Sequence, residues 1–434
     1  MTERISCIRE GCINTILPAT AARTGGYCMP CKQEMEREER QNYMEANRRD
    51  VDLYADITDP VEIIKIMHEP QVRNPLIRYV PYERSKEQVY LSLSTDQQDE
   101  IKDYAMHLIR TGDEDTGKDI LLYLVCYHDL SLTAEIPELL EQEIYYPAIL
   151  YQSASAEMRD RLLQQVNTDD ENRNHILLML AYIGDDVVVQ QFRQWRQSPP
   201  TWSSELYVAP EHYTTEAGWE LTKDGQRREL FTTPSYSLYK VKESEATNVA
   251  ITEDSLSMLT SSINCCPWCG SALTTLINLD VKHPALRDVS WHAQRLQIQT
   301  CVICSSYGVV YMERDAAGEP LWSSHNVMPV GADDIDPEDY VKLTPDVGRQ
   351  FRIANASRHA FHASEWAMEP SLSQVGGHPG WVQDAEYRIC LRCSTRMKAV
   401  AQLDWGEVEA YGEGMYYMFI CEPCQMTAVS YQQS

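Results

Sequence analysis

The amino-acid sequence predicts a multidomain α+β protein. Three features support this prediction: cysteines in short pairs, a central stretch with helical periodicity, and a C-terminal stretch of short alternating strands. At 434 residues the chain exceeds what one ordinary hydrophobic core accommodates, so two or three domains are expected. We predict a small cysteine module with a charged helix at residues 1–50, a helical domain at 51–200, and a β-rich domain at 201–434.

Twelve of the fourteen cysteines fall into six short pairs, which group into three sets of four. A C-x2-C step lets one tight turn direct two sulfurs at one ion, and a distant second pair completes a tetrahedron. The predicted metal ligands are Cys7, Cys12, Cys28 and Cys31; Cys266, Cys269, Cys301 and Cys304; and Cys390, Cys393, Cys421 and Cys424. Four thiolates suit Zn²⁺ and leave no open coordination position, so we predict three structural zinc ions.

The sequence leaves the pairing of the cysteines in residues 201–434 open, because the two sets there are alike and pairs could cross between them. Residues 1–50 contain an unusual C-x4-C step beside a standard C-x2-C step. Cys126 lies in an apolar helical stretch and is expected to be a small buried residue. Cys265 directly precedes a metal-binding pair and is expected not to be a ligand.

The redox state of the cysteines follows from the predicted compartment. The first seven residues lack the apolar core of a signal peptide, and no run approaches 18 uninterrupted apolar residues. We therefore expect a cytoplasmic protein that does not enter a membrane. A disulfide framework is the alternative to metal ligation, and a reducing compartment disfavours it.

Residues 51–200 show the periodicity of successive amphipathic helices. Ile101, Tyr104, Ala105 and Leu108 follow a 3.6-residue spacing, and Gly112 stands where a left-handed residue would end that helix. Further helices are predicted over 120–125, 139–150, 158–166, 175–183 and 187–195. Short helices with brief polar links suggest an irregular solenoid of the HEAT type. Because no strict repeat period is present, a compact bundle is the alternative.

The segments on either side of this helical stretch differ from it in composition and in hydrophobic pattern. Residues 32–50 are crowded with charges and predict a solvated helix that leads away from the first cysteine set. The pair Pro199-Pro200 ends the helical region, because proline cannot continue a helix. Beyond it, alternating patterns predict strands over 236–242, 273–279, 296–300, 308–312, 397–403, 415–421 and 428–432. This segment is expected to contain two zinc ribbons.

The formal net charge of −27 is unevenly distributed. Residues 1–50 are balanced, with eight acids and eight bases, whereas residues 51–200 carry 27 acids and 13 bases, giving −14. Twelve thiolates and three Zn²⁺ would bring the total to about −33. Such a field repels nucleic acid and speeds the encounter with a basic protein partner. The alternative is that the acidity only keeps the protein soluble.

The search for catalytic residues returns little. His359, His362 and Glu365 could hold a metal at helical spacing, but a surface or core role is favoured. Asp333, Asp334, Asp336 and Glu338 form an acidic loop without the side-chain spacing of a calcium loop. GxSxG, phosphate-loop and HExxH motifs are absent. We therefore predict a protein that is not an enzyme.

The C-terminal stretch resembles a known family. The element Gly377-His378-Pro379-Gly380-Trp381-Val382-Gln383 precedes the pair Cys390/Cys393, and a strand, a glycine turn and the pair Cys421/Cys424 follow. This order, over 371–434, resembles the YwqG-like family of bacterial proteins. It is also similar to the tail of the eukaryotic programmed-cell-death-2 family, which act as chaperones for a ribosomal protein. Taken as residues alone, the glycines permit a turn and Trp381 would anchor against the ribbon.

The resemblance implies a binding scaffold without known catalysis, and YwqG-like proteins are associated with polymorphic toxin systems. We therefore expect an immunity protein that neutralises a basic toxin domain by direct binding. The alternative is an acidic chaperone or adaptor for a basic cellular protein, such as a ribosomal protein. An enzyme with an unrecognised acidic site is the third possibility.

Overall fold

The computed structural model describes residues 4–241, 256–315, 317–330, 345–365, 368 and 370–433. The chain forms two compact units, Met1–Leu93 and Ser94–Ser434. This division falls at neither residue 50 nor residue 200, where the sequence suggested domain boundaries. Each unit contains both helices and strands, in agreement with an α+β class.

The first unit combines short strands with four described helices. Its strands are β1 (Ile5–Ser6), β2 (Thr15–Ile16), β3 (Arg49–Val51) and β4 (Ile77–Tyr79), and its helices are α1 (Pro18–Thr24), α2 (Met29–Asn47), α3 (Pro60–His68) and α4 (Lys86–Tyr90). Strands β1 and β2 form an antiparallel hairpin, whereas β3 and β4 pair in parallel. Helix α2 is mostly exposed, which confirms the predicted solvated helix.

A small apolar core in the first unit lies beneath α3 and α4. Val61, Ile63, Ile64 and Val89 are almost completely buried, and Tyr90 is buried beside them. The Tyr90 hydroxyl lies 2.9 Å from a ring nitrogen of His68. The second half of this unit is therefore held by ordinary apolar packing.

The second unit begins with a helical region. Its helices are α5 (Thr95–Thr111), α6 (Glu114–His128), α7 (Ile136–Glu141), α8 (Ala156–Gln165), α9 (Arg173–Ile183) and α10 (Asp186–Gln197), with 3₁₀ turns at Ala148–Tyr151, Thr201–Glu205 and Pro210–Thr215. A reciprocal pair of hydrogen bonds between Ser94 and Gln97 begins α5, and Gly112 ends it in the left-handed conformation, as predicted. The predicted helix over 139–150 is wrong, because Pro147 lacks the N–H group that a continuous helix needs.

The remainder of the second unit is rich in strands. They are β5 (Trp219–Leu221), β6 (Arg227–Glu229), β7 (Tyr236–Lys240), β8 (Leu256–Cys265), β9 (Ala272–Asp280), β10 (Arg295–Thr300), β11 (Val310–Arg314), β12 (Pro320–Trp322), β13 (Phe351–Ile353), β14 (Gln374–Val375), β15 (Lys398–Asp404), β16 (Met415–Cys421) and β17 (Met426–Gln432). Short helices α11 (Pro345–Arg349) and α12 (Trp405–Val408) and 3₁₀ turns at Pro284–Leu286 and Cys304–Ser306 connect them. Every predicted strand overlaps an observed one.

Within the described residues, two larger sheets contain eleven of these thirteen strands, and β5 pairs with β6 in a separate antiparallel hairpin. An eight-stranded sheet has the order β12-β11-β17-β16-β15-β14-β7-β13, and a three-stranded sheet has the order β10-β9-β8. All of the pairings in both sheets are antiparallel. The apolar core between them includes Leu276, Ile298, Met418 and Val429, which are fully buried.

Buried contacts join the helical region to the β-rich region across residue 200. The indole N–H of Trp219 donates to the Ala181 carbonyl at 2.8 Å, and the Tyr123 hydroxyl donates to the Met368 carbonyl at 2.9 Å. The ring of His362 stacks on Tyr127 with 4.1 Å between centroids. These buried contacts lie within the compact unit Ser94–Ser434.

The glycine-proline element that precedes the last cysteine set is built into the large sheet. The Gly380 N–H donates to the Gln402 side chain at 2.8 Å, and the Tyr417 hydroxyl donates to the Gly380 carbonyl at 2.7 Å. A Cβ atom on Gly380 would lie 2.2 Å from the Ala363 carbonyl oxygen, so a larger residue does not fit. Trp381 packs on Tyr417 with 4.5 Å between centroids, in agreement with its predicted role as an anchor.

None of the helices that the structure describes combines the length and the apolar composition needed to cross a membrane.

The core around the anchoring tryptophan generates a stability prediction. Phe419 is fully buried beside Trp381, so Phe419→Ala should lower the free energy of unfolding of the second unit by about 3–5 kcal/mol. Tyr411 is 98% exposed, and Tyr411→Ala should change that free energy by less than about 0.5 kcal/mol. Urea unfolding followed by tryptophan fluorescence measures both. Equal effects of the two substitutions would contradict the assigned core.

Candidate metal centres

The structure brings all twelve predicted cysteine ligands together in three groups. Within each group, four sulfur atoms lie within 4.8 Å of one another. The groups are Cys7, Cys12, Cys28 and Cys31; Cys266, Cys269, Cys301 and Cys304; and Cys390, Cys393, Cys421 and Cys424. The pairs therefore do not cross between the two C-terminal sets, which settles the alternative that the sequence left open.

The first group is assembled by a hairpin and a helix. Cys7 directly follows strand β1, and Cys28 is the N-cap of helix α2, with Cys31 in its first turn. The Cys28 N–H lies 3.3 Å from the Cys7 sulfur, and the Asn14 amide nitrogen lies 3.5 Å from the Cys28 sulfur. These contacts hold the hairpin sulfurs against the start of the helix.

The start of helix α2 favours ionised sulfur. Hydrogen bonding from the Cys31 backbone, followed by the Asn14 side chain, lowers the pKa of the Cys28 thiol to about 6. The positive end of the helix dipole acts in the same direction. The thiolate is the form that binds a metal, so Cys28 is ready to act as a ligand near neutral pH. The hydrogen bond to Cys28 raises the pKa of the Cys31 thiol to about 12, so these two neighbouring thiols do not ionise together without a cation.

The second group lies at one end of the three-stranded sheet. Cys266 and Cys269 occupy the turn between β8 and β9, and Cys301 directly follows β10. The turn closes through the Gly270 N–H, which donates to the Cys266 carbonyl at 2.9 Å. Gly270 has a φ of +79°, which other residues rarely adopt. Antiparallel pairing of β9 with β10 then brings the second cysteine pair to the same end.

The third group repeats this arrangement in the large sheet. Cys390 and Cys393 form a turn closed by the Ser394 N–H, which donates to the Cys390 carbonyl at 2.9 Å. Cys421 ends β16, and the residues up to Cys424 turn the chain into β17. Ser394 has a φ of +56°, so serine occupies here the left-handed position that Gly270 takes in the second group.

Separations between sulfur atoms test whether a tetrahedral ion would fit. Metal–sulfur bonds of about 2.3 Å place the four sulfurs of a tetrahedral site about 3.8 Å apart. The observed separations are 3.7 Å for Cys12–Cys28, 3.7 Å for Cys266–Cys304, 3.5 Å for Cys269–Cys301 and 3.5 Å for Cys393–Cys421. A disulfide needs about 2.05 Å, and all fourteen cysteines are free. The four thiols of each group are therefore positioned to hold one metal ion.

Hydrogen bonds link the turn of the third group and strand β16 to the three-stranded sheet. The Gln425 side chain accepts from the His292 N–H at 2.8 Å and donates to the Ser290 carbonyl at 3.0 Å. Both partners lie in the loop between β9 and β10, at the end of that hairpin opposite the cysteines. The Tyr416 hydroxyl donates to the Val302 carbonyl, within the Cys301–Cys304 turn, at 2.7 Å. Gln425, beside the third cysteine group, and Tyr416, in strand β16, therefore hold the two ends of the three-stranded sheet.

The remaining candidate residues do not join these centres. Cys126 is fully buried and Cys265 is exposed, and neither belongs to a group, as predicted. His359 and His362 contact helix α6, where His359 lies 3.0 Å from the Cys126 carbonyl, and His362 is 1% exposed. Within the described residues, these histidines and Glu365 do not form a metal-ligand group. The acidic loop Asp333, Asp334, Asp336 and Glu338 lies outside the described residues.

Two polar contacts of the cysteines were not identified from the sequence. Asn14 lies beside the Cys28 sulfur, and the Thr395 hydroxyl lies 2.9 Å from the Cys393 sulfur. Hydrogen bonds to sulfur stabilise the thiolate and orient it. Thr395 follows Cys393 by only two residues, so this short spacing was a weak indication of the contact. Asn14 is fourteen residues before its partner and carried none.

The fold and these groups define an α+β protein with three four-cysteine groups that are positioned to hold metal ions. The chain is 38% identical to the uncharacterized protein YpfL of Salmonella typhimurium. The alignment is 439 residues long and covers 100% of both chains. The chain therefore belongs to the family of YpfL. No family model matches the chain. No solved structure matches it.

Metal analysis of a cysteine variant tests the three groups. The purified protein should contain three equivalents of bound metal, and Cys390→Ser should contain two and melt at a lower temperature, because metal binding adds to the folding free energy. Cys265→Ser is the matched control and should keep three equivalents and the original melting temperature. Elemental analysis and thermal melting measure these outcomes. A Cys390→Ser protein that keeps all three equivalents would refute the assignment.

Proposed function

We propose that the chain is a cytoplasmic immunity protein that binds and neutralises a basic toxin domain, and that three zinc ions have a structural role in it. The observation that carries the proposal is the closed character of the three cysteine groups. Four protein sulfurs complete a tetrahedral site and leave no position for a substrate or an activated water. The metal therefore serves the scaffold, and we infer that the scaffold acts by binding without catalysis.

Zinc is the metal that best suits these groups. It accepts four thiolates in tetrahedral geometry, and the sulfur separations of 3.5–3.7 Å agree with that geometry. The second and third groups, with cysteine turns at the ends of paired strands, fit zinc ribbons. Reduced thiols require a reducing compartment, which supports a cytoplasmic location.

The charge of the chain suggests the chemistry of the partner. A net charge of −27 creates a field that attracts basic proteins and repels phosphate backbones. Neutralising a toxin requires only that its active cleft or its target-binding face be covered. A scaffold held rigid by metal ions loses little ordering entropy when it binds.

The resemblance of residues 371–434 to YwqG-like proteins supports the assignment to a toxin system. On this proposal the helical region 94–197, whether a HEAT-like solenoid or a bundle, would supply contact surface that is specific to the partner.

Capture of the partner tests the proposed function. The tagged full-length chain, purified from its native cytoplasm at low ionic strength, should retain one basic protein at equal stoichiometry. That protein should kill cells when it is expressed alone and should be harmless when it is expressed with this chain. Mass spectrometry identifies it, and growth assays measure protection. Capture of a basic housekeeping protein, such as a ribosomal protein, would favour the chaperone hypothesis over the immunity hypothesis. Capture of no protein would contradict both hypotheses.

Salt dependence tests the electrostatic part of the proposal. The association rate of the chain with its captured partner should fall at least tenfold between about 0.05 M and 0.5 M salt, because the Debye length shortens from about 14 Å to about 4 Å. The dissociation rate should change much less. Stopped-flow fluorescence measures both rates. An association rate that is indifferent to salt would show that the acidic surface does not attract the partner.

A further inference from the structure

A cavity of about 710 Å³ lies within the Ser94–Ser434 unit, and none of the metal-binding cysteines lines it. Helix α9, the segment before β5 and the glycine-proline element that carries His378 and Trp381 contribute to its walls. Its size lies in the range that holds a small organic molecule. Nothing in the proposed immunity function assigns this cavity a role.

The walls combine aromatic rings with carboxylates. The aromatic residues are Tyr146, Tyr182, Tyr213 and Trp381, and the acidic residues are Glu216, Glu365 and Asp384. The faces of aromatic rings carry partial negative charge and attract organic cations, most strongly where water is excluded. The aromatic rings and the carboxylates of the cavity wall therefore both favour binding of an organic cation.

Glu216 and Glu365 have no counter-charge from the described protein. In the described part of the chain, no lysine or arginine forms an ion pair with either carboxylate, and the cation in the wall, Arg396, lies 3.3 Å from Glu220 instead. Burial, followed by repulsion from Glu216, raises the pKa of Glu365 to about 7. Burial also raises the pKa of Glu216. A cation inside the cavity would relieve both effects.

One ring nitrogen of His378, a buried residue in the cavity wall, has no hydrogen-bond partner among the described residues. His378 is 1% exposed, and its Nε2 lies 2.9 Å from the backbone carbonyl of Glu216, so Nε2 carries the hydrogen. Burial lowers the pKa of His378 to about 4, which keeps the ring neutral and makes Nδ1 an acceptor. Nδ1 makes no hydrogen bond to the described residues. Because Nδ1 is itself inaccessible to solvent, a guest in the cavity does not reach it, and His378 contributes only a neutral ring to the wall.

A metal ion is a poorer guest than an organic cation. Among the described residues, only the three cysteine groups bring three possible ligand atoms within 4.8 Å of one another. The carboxylates and His378 are thus too far apart to enclose one ion. A guanidinium or ammonium group on a larger molecule can meet separated acceptors, because its N–H groups point in several directions.

We propose that this cavity binds an organic cation, a guanidinium or ammonium group on a body about the size of an amino acid, with Glu216 and Glu365 as its counter-charges. The aromatic rings enclose the body of the ligand. The same chemistry is available from a free amine and from an arginine side chain of a polypeptide. The inference does not depend on the proposed immunity function.

Calorimetric titration of the unmodified full-length protein tests the site directly. L-Argininamide is the cationic probe, and L-citrullinamide is its neutral match in size and shape. Argininamide should bind at least tenfold more tightly and should raise the melting temperature. A blocked Gly-Arg-Gly peptide distinguishes the sources: tighter binding of the peptide indicates a polypeptide side chain, and tighter binding of argininamide indicates a free amine. Equal binding of citrullinamide, or no binding of either cation at millimolar concentration, overturns the proposal.

Charge-removing variants locate the site. Glu216→Gln and Glu365→Gln keep the shape of the side chain, and each should weaken argininamide binding at least tenfold. Glu171→Gln is the matched control, since Glu171 is exposed, does not line the cavity and carries the same charge. Its affinity should equal that of the unmodified protein. Equal affinity of all three variants would show that binding reflects only the overall acidity and would overturn the site.

Discussion

Four thiol groups within 4.8 Å of one another form the constraint on which the rest of the structure depends. Once deprotonated, four such charges repel one another, and a divalent cation at their centre converts that repulsion into attraction. In the first unit, the two-residue strands of β1 and β2 are far too short to be stable alone. Their position against helix α2 therefore relies on the sulfurs of Cys7, Cys12, Cys28 and Cys31.

In the second unit the same constraint acts through the sheets. The second group closes one end of the three-stranded sheet, and the third group closes the turns at one end of β15, β16 and β17. Tyr416 and Gln425 connect the two, so the sheets are fixed relative to each other by hydrogen bonds as well as by their shared apolar core. Helices α6 and α9 pack against the β-rich region, where Tyr127 stacks on His362 and the Ala181 carbonyl accepts from Trp219. The cavity lies among elements that this frame positions.

The sequence predicted the features that depend on local spacing. The C-x2-C steps predicted the cysteine groups, the alternation of apolar and polar residues predicted strands, and Gly112 predicted the end of α5. Features set by distant contacts were missed: Trp219 and Tyr123 make buried hydrogen bonds across residue 200, where the sequence suggested a domain boundary. Strand β8 was not predicted, because it contains three serines and a threonine with little alternation. The cavity was missed because its carboxylates come from segments about 150 residues apart.

X-ray absorption at the zinc edge tests the central claim, because it reports the element and its ligands together. Spectra of the protein purified without added metal should fit four sulfur ligands at about 2.3 Å, with no lighter neighbour. Such a result would mean that each ion is enclosed by cysteines and serves the fold. A fit that requires oxygen or nitrogen in the first shell would indicate an open coordination position. It would contradict the proposal that the metal has only a structural role.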